Sequence, residues 1–181
     1  MLVKITSRAW ALNILALMDS GVPARQAPLL SATKAGRTAF RASLDHLIDL
    51  SLLERNPGHG HPLRPEYRLT ALGQEIAPLA GKIMKTTSGE NANALIRKSW
   101  TLPILAVTKE PRHFIEIKRE LAPVTDRALS QTLQHLHRHD WLHRDVDLSA
   151  QPLRPTYRAT NMGHTLSTTL NMTSINESIS I

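Results

Sequence analysis

The sequence contains an internal repeat of about 90 residues. The segment Trp-Ala-Leu-Asn-Ile-Leu-Ala at Trp10 returns as Trp-Thr-Leu-Pro-Ile-Leu-Ala at Trp100, and residues 63–68 return at 153–158, both 90 positions later. Two copies are too few to build a solenoid, which needs more units to bury a continuous core. The chain is therefore predicted to hold two similar domains arranged as a pseudo-twofold pair.

Small shifts in the repeat show where its loops lie. Gly73 and Gly163 keep the spacing of 90, but the leucines between the anchors are 89 residues apart. These pairs are Leu44 with Leu133, Leu47 with Leu136, and Leu53 with Leu142. One of the two implied indels lies near residues 57–62, whose glycines and prolines indicate a turn. A polar stretch at residues 86–89 separates two helical patterns, so we predict domains at residues 1–88 and 89–181.

Each copy has the element order of a winged helix-turn-helix domain. In the first copy, apolar residues at helical spacing run from Ser7, the predicted N-cap, to Gly21, and a short second helix is predicted at residues 23–30. A longer third helix, a two-stranded ribbon and a closing helix capped by Thr70 follow. The predicted fold is mainly α with small β-hairpin wings, in two tandem winged helix-turn-helix domains that form an intramolecular pseudo-dimer.

The third helix of each copy is amphipathic. Its predicted buried stripes are Phe40, Leu44 and Leu47 in the first copy and Leu129, Leu133 and Leu136 in the second. Its outward faces are Arg37, Thr38, Arg41 and Asp45, and Arg127, Ser130, Gln131 and Gln134. Thr125 is the predicted N-cap of the second of these helices. Both outward faces are polar.

Charge and composition limit the classes of function that the chain can have. Lysine and arginine number 22 against 15 acidic residues, which gives a net charge of +7 and favours a polyanionic partner. The absence of cysteine excludes disulfides, thiolate metal sites and thiol nucleophiles. The longest apolar stretch, residues 9–18, is too short to span a bilayer, so we expect a cytoplasmic protein with no membrane partner. No phosphate loop, serine elbow or carboxylate pair indicates an enzyme or a cofactor.

The second copy carries the motifs of a known family. They are residues 100–105, Trp-Thr-Leu-Pro-Ile-Leu, residues 112–117, Arg-His-Phe-Ile-Glu-Ile, residues 129–136, and Arg154 with Tyr157. Together these motifs resemble the HxlR family of bacterial winged helix regulators, related in fold to MarR proteins. The first copy matches at Trp10, at residues 64–70 and at Gly73, but not at residues 22–34. The glycine that the family has after its recognition helix is Ser51 in one copy and Asp140 in the other.

The resemblance implies a transcription regulator that binds double-stranded DNA. Its two recognition helices would enter adjacent major grooves about 34 Å apart, and its wings would lie on the backbone or in the minor groove. The predicted base-reading residues are Arg37, Thr38 and Arg41 in the first copy and Arg127, Ser130, Gln131 and Gln134 in the second. Arg64 and Arg154 are the predicted wing contacts. Because the two faces differ, we predict an asymmetric operator, read by a monomer that acts as a pseudo-dimer or by a homodimer of such chains.

Other functions have weaker support in the sequence. Trp10, Trp100 and Trp141 could line a pocket for a small-molecule effector, but tryptophans at apolar positions favour core or interface packing. The histidines at positions 135, 137, 139 and 143 lack supporting ligands, so no metal site is predicted. The alternative function is a winged helix scaffold that binds a protein or a small molecule and has weakened DNA binding, which the irregular residues 22–34 favour in the first copy.

Overall fold

The computed structural model describes residues 1–56, 65–87, 89–147 and 154–172. The chain divides into two compact units. The first unit comprises Lys4–Asn93, and the second comprises Met1–Val3 together with Ala94–Ile181. Within the described residues the fold is mainly helical with small antiparallel hairpins, as predicted.

Up to residue 87 the described part of the chain forms five helices and two strands, and those from residue 11 onward pack around one leucine-rich core. In chain order, these helices and strands are α1 Leu2–Thr6, α2 Ala11–Asp19, α3 Gln26–Thr33, α4 Arg37–Asp49, β1 Leu53–Asn56, β2 Glu66–Leu69 and α5 Ala71–Thr86. Helix α2 packs mainly against α5, and it buries Ile14 and Leu15 completely. The predicted stripe of α4 is confirmed, since Phe40, Leu44 and Leu47 are all buried. Strands β1 and β2 form the predicted antiparallel hairpin.

The later elements repeat this order and add one strand. They are α6 Glu90–Ile96, α7 Thr101–Val107, β3 Arg112–His113, α8 Phe114–Glu120, α9 Asp126–Arg138, β4 Leu142–Asp147, β5 Arg154–Ala159 and α10 Asn161–Asn171. Strand β5 lies between β3 and β4 in an antiparallel sheet. The stripe of α9 is buried as predicted, at Leu129, Leu133 and Leu136. We call β1–β2 the first hairpin and β4–β5 the second hairpin.

Two of the three predicted helix caps are confirmed. The hydroxyl of Thr70 accepts a hydrogen bond from the backbone N–H of Gly73, and Thr125 caps α9 by accepting from Ala128 N–H. The prediction for Ser7 is wrong. Helix α2 begins only after Trp10, and Ser7 lies in the turn that follows α1, where its hydroxyl donates to the carbonyl of Lys4 at 2.7 Å.

The repeated glycines are explained by close backbone packing. A Cβ atom on Gly163 would lie 2.0 Å from the Trp141 carbonyl oxygen, and one on Gly73 would lie 2.1 Å from that of Leu52. Trp141 and Leu52 directly precede β4 and β1. Each glycine therefore lets the closing helix of its unit approach the start of the hairpin more closely than any larger residue could.

Ser51 and Asp140 adopt the backbone conformation for which glycine is usually required. Their φ angles are 56° and 57°, in the left-handed region. Ser51 lies between α4 and the first hairpin, and Asp140 lies between α9 and the second hairpin. The turn therefore keeps the geometry of a glycine turn without the glycine, in both units.

Candidate nucleic-acid interface

Helix α9 is held in place by its buried face and by its contacts with the preceding helix. Lys118 of α8 forms an ion pair of 2.6 Å with Asp126, the first residue of α9. At the start of α8, the Glu116 carboxylate accepts a hydrogen bond of 2.7 Å from the His113 backbone N–H. The first contact links α8 to the start of α9, and the second caps the start of α8. Two helices joined by a short connection, here residues 121–125, are the arrangement of a helix-turn-helix.

The predicted reading face of α9 is directed to solvent. Arg127, Gln131 and Gln134 are exposed and Ser130 is half-buried, on the side opposite the leucine stripe. Their side chains supply a guanidinium, two amides and a hydroxyl. These groups can donate to and accept from the edges of base pairs.

Helix α4 is exposed in the same way but carries a different charge pattern. Arg37, Thr38 and Arg41 are all exposed. Asp45 lies one turn after Arg41, and its carboxylate forms ion pairs with Arg41 at 3.6 Å and with Arg55 of the first hairpin at 3.1 Å. Two of the cations at this surface are therefore held by a carboxylate of the same chain.

The hairpins add further arginines beside each helix. Arg154 begins β5 and is exposed. Arg64, the matching position in the first hairpin, lies outside the described residues. In the first hairpin Arg68 pairs with Glu54 across the strands at 3.0 Å. In the second hairpin the position opposite Arg158 is occupied by His143, which carries no carboxylate.

The two surfaces consequently differ in net charge. Helix α4 and the first hairpin carry four arginines and four carboxylates, whereas α9 and the second hairpin carry five arginines and three carboxylates. Three of the four arginines in the first set are paired. Among the described residues, none of the five in the second set has an ion pair, namely Arg127, Arg138, Arg144, Arg154 and Arg158. The second surface is therefore the stronger attractor of a polyanion.

A cleft of about 300 Å³ lies between α9 and the second hairpin. Ser130, Gln134 and His137 of α9 line one side, and Arg144 and Tyr157 of the hairpin line the other. Neither Arg144 nor a role for Tyr157 was predicted from the sequence. Arg144 could have been found from the repeat, because it lies 89 positions after Arg55. We call this space the α9–hairpin cleft.

The first unit has a cleft of its own, also of about 300 Å³, between α2 and α5. Its lining is largely apolar, with Leu17 and Met84, and it is bordered by the polar side chains of Asn13, Asp19 and Lys85. A small amphiphilic molecule would fit its mixed lining.

The tryptophans predicted to be core or interface residues differ in burial. Trp141 is buried, with 7% of its surface exposed. Trp10 and Trp100 are half-buried at the residues that precede α2 and α7.

The histidines near the end of α9 are dispersed. His137 contacts the Leu142 carbonyl oxygen through Nδ1 at 3.1 Å, while His139 and His143 are exposed. Within the described residues, no group of three or more histidine, cysteine or acidic side chains is placed to hold a metal ion. His135 is half-buried, and burial, followed by the charges of Lys98, Arg138 and His139, lowers its pKa below the usual 6.5.

Comparison with known proteins identifies part of the chain. Residues 95–177 match the model of a family described as HxlR-like helix-turn-helix. The match covers a little under half of the chain and includes helices α7 to α10 with the second hairpin. The family consists of DNA-binding transcription regulators, so the match supports DNA binding and transcription regulation as the function. None of the curated proteins compared with the chain matches it. No helix in the described part of the chain is long and apolar enough to cross a membrane.

Proposed function

We propose that the chain is a transcription regulator that binds double-stranded DNA through two tandem winged helix-turn-helix domains. The observation that carries the proposal is the second surface, which lies within the segment that matches the HxlR-like family. It combines exposed polar residues of α9 with five arginines that have no ion pair among the described residues. In this proposal Arg127, Ser130, Gln131 and Gln134 read bases in the major groove, and Arg154 contacts the backbone or the minor groove.

The first unit would use the equivalent residues. Arg37, Thr38 and Arg41 of α4 would read the adjacent major groove, and Arg64 would follow the backbone. The repeated sequence, together with the same order of helices and hairpin in each unit, supports a tandem duplication that acts as a pseudo-dimer. Because the two sets of reading residues differ, the operator would be asymmetric.

The test starts with selection of DNA duplexes from a random pool by the whole chain. Fluorescence anisotropy then measures the affinity for the selected duplex and for a scrambled one over a series of salt concentrations. A regulator prefers the selected duplex by about 10³-fold or more and loses affinity steeply with salt. Arg127→Ala should weaken binding by about 1–3 kcal/mol and relax the preference at one position. Lys82→Ala, an exposed cation on α5, is the matched control and should change little. Equal affinity for both duplexes contradicts the proposal.

A second candidate function is a winged helix scaffold that binds a protein or a small molecule and has weakened DNA binding. Two features of the first unit favour it, the pairing of Arg41 and Arg55 with Asp45 and the cleft between α2 and α5. The same anisotropy series separates the two functions, because a scaffold shows neither sequence preference nor a steep dependence on salt. Arg37→Ala would then leave DNA affinity unchanged.

A further inference from the structure

Two arginines at matching positions of the repeat lie in different electrostatic surroundings. Arg55 and Arg144 are 89 residues apart, and each lies on the first strand of its hairpin opposite a tyrosine. Arg55 donates to the Asp45 carboxylate at 3.1 Å. Arg144 has no ion pair or hydrogen-bond partner among the described side chains. The same residue type is thus neutralised in one unit and left with its charge unpaired in the other.

The difference arises from two substitutions on the neighbouring helix. Asp45, whose carboxylate also contacts Arg41, is replaced by Gln134 at the matching position 89 residues later. Arg41 is replaced in the same way by Ser130. Gln134, Ser130 and Arg144 all line the α9–hairpin cleft, and the residues that line it include no carboxylate. The second unit therefore has an arginine and neutral polar groups at the place where the first unit has a bound carboxylate.

We propose that the α9–hairpin cleft is a binding site for a phosphate group. The Arg144 guanidinium supplies the positive charge, and the Gln134 amide with the Ser130 and Tyr157 hydroxyls supplies neutral hydrogen-bond donors. A guanidinium binds a phosphate through the same pair of parallel hydrogen bonds that it forms with a carboxylate. The ligand phosphate in the second unit therefore takes the place that the Asp45 carboxylate occupies in the first unit. At about 300 Å³ the cleft is much larger than the roughly 30 Å³ of a water molecule and admits a phosphate group.

The phosphate can come from two sources. It can belong to the backbone of a bound duplex, in which case the inference rests on the proposed DNA binding, and Ser130 and Gln134 contact the backbone instead of base edges. It can also belong to a free phosphorylated molecule that occupies the cleft when DNA is absent, and this source does not depend on the proposed function. The chemistry of the site is the same for both.

The first arm of the test uses inorganic phosphate and the DNA-free chain. Isothermal titration at constant ionic strength, balanced with chloride, compares the wild type with Arg144→Gln, Gln134→Asp and the matched control Arg55→Gln. Arg144→Gln should weaken phosphate binding by about tenfold or more. Gln134→Asp should do the same by placing a carboxylate beside Arg144, whereas Arg55→Gln should have no effect. In the reverse exchange, Asp45→Asn should free Arg55 and add a second phosphate per chain.

The second arm measures the salt dependence of binding to a DNA duplex. A slope of log K against log salt that falls in magnitude by about one in Arg144→Gln, and not in Arg55→Gln, assigns the site to the DNA backbone. Loss of phosphate binding in Arg144→Gln with an unchanged slope assigns it to a free phosphorylated ligand. Because the titration needs no DNA, its result tests phosphate binding even if the chain does not bind DNA. Equal phosphate affinity and equal slope in Arg144→Gln and Arg55→Gln would overturn the inference.

Discussion

Replacing Gly163 with alanine should destabilise the second unit, although alanine is the better helix former. The added Cβ would lie 2.0 Å from the Trp141 carbonyl oxygen, whereas ordinary Cβ contacts begin near 3.4 Å. Helix α10 or the start of β4 must therefore shift by more than 1 Å. That shift also strains the hydrogen bond of 3.0 Å that the same carbonyl accepts from the Thr160 N–H.

The magnitude follows from three contributions. Alanine in place of glycine in a helix gains about 1 kcal/mol. Overpacking against a carbonyl that cannot rotate away costs about 1–3 kcal/mol, and weakening the Thr160 hydrogen bond costs about 1 kcal/mol more. The net loss is therefore about 1–3 kcal/mol, or roughly 4–8 °C in Tm for each kcal/mol in a unit of this size.

Urea denaturation followed by circular dichroism measures this loss, with Gly81→Ala as the control. A Cβ on Gly81 of α5 would lie 2.7 Å from Asp19 Oδ2, which is the end of an exposed side chain that can rotate aside. Gly81→Ala should therefore be neutral or stabilising by up to about 1 kcal/mol. If Gly163→Ala proves as stable as the wild type, or if both variants lose stability equally, the reasoning from backbone contact is refuted.

Three further predictions concern stability. Thr125→Ala removes the cap that accepts from Ala128 N–H at 3.2 Å, and it should cost about 1 kcal/mol in urea denaturation. Ser51→Gly should stabilise the first unit by about 0.5–1 kcal/mol, since glycine adopts a φ of 56° without steric cost; a lower urea midpoint would contradict this. The lowered pKa of His135 means that the unfolded chain takes up the proton first, so stability is complete above pH 6.5 and is lost as pH falls from there towards the folded-state pKa. His135→Gln should flatten that acid-side loss in pH-dependent melting curves, and an unchanged pH profile would count against it.

The features that the sequence predicted correctly have a local physical cause. The leucine stripe of α9 follows from a spacing of three and four residues, and the caps at Thr70 and Thr125 follow from their positions before helical patterns. Helices α1 and α6, of five and seven residues, were missed because each ends in a turn just before a tryptophan, and the predicted first helix was drawn through that turn. This omission also explains the error at Ser7, which lies in a turn between two helices and does not begin one.

The parts of the site that were missed depend on contacts between distant residues. Arg41 and Asp45 are four residues apart, so their pairing is visible in the sequence. The contact between Asp45 and Arg55 requires the hairpin to fold back beside α4, which no local pattern specifies. The left-handed φ at Asp140 was equally hidden, because an aspartate has no obligatory conformation in a turn.

The two copies of the repeat share the residues that control backbone packing and differ in residues that control surface charge. Positions that control backbone approach stay the same, since both Gly73 and Gly163 face a carbonyl oxygen within about 2 Å of where a Cβ would lie. Positions that control charge differ, since Asp45 and Gln134 occupy matching sites beside a retained arginine. A change at such an exposed position costs little stability, because surface ion pairs contribute only about 0–1 kcal/mol, yet it decides whether a guanidinium is available to a ligand. The two units can therefore keep one architecture and still differ in the anions that they attract.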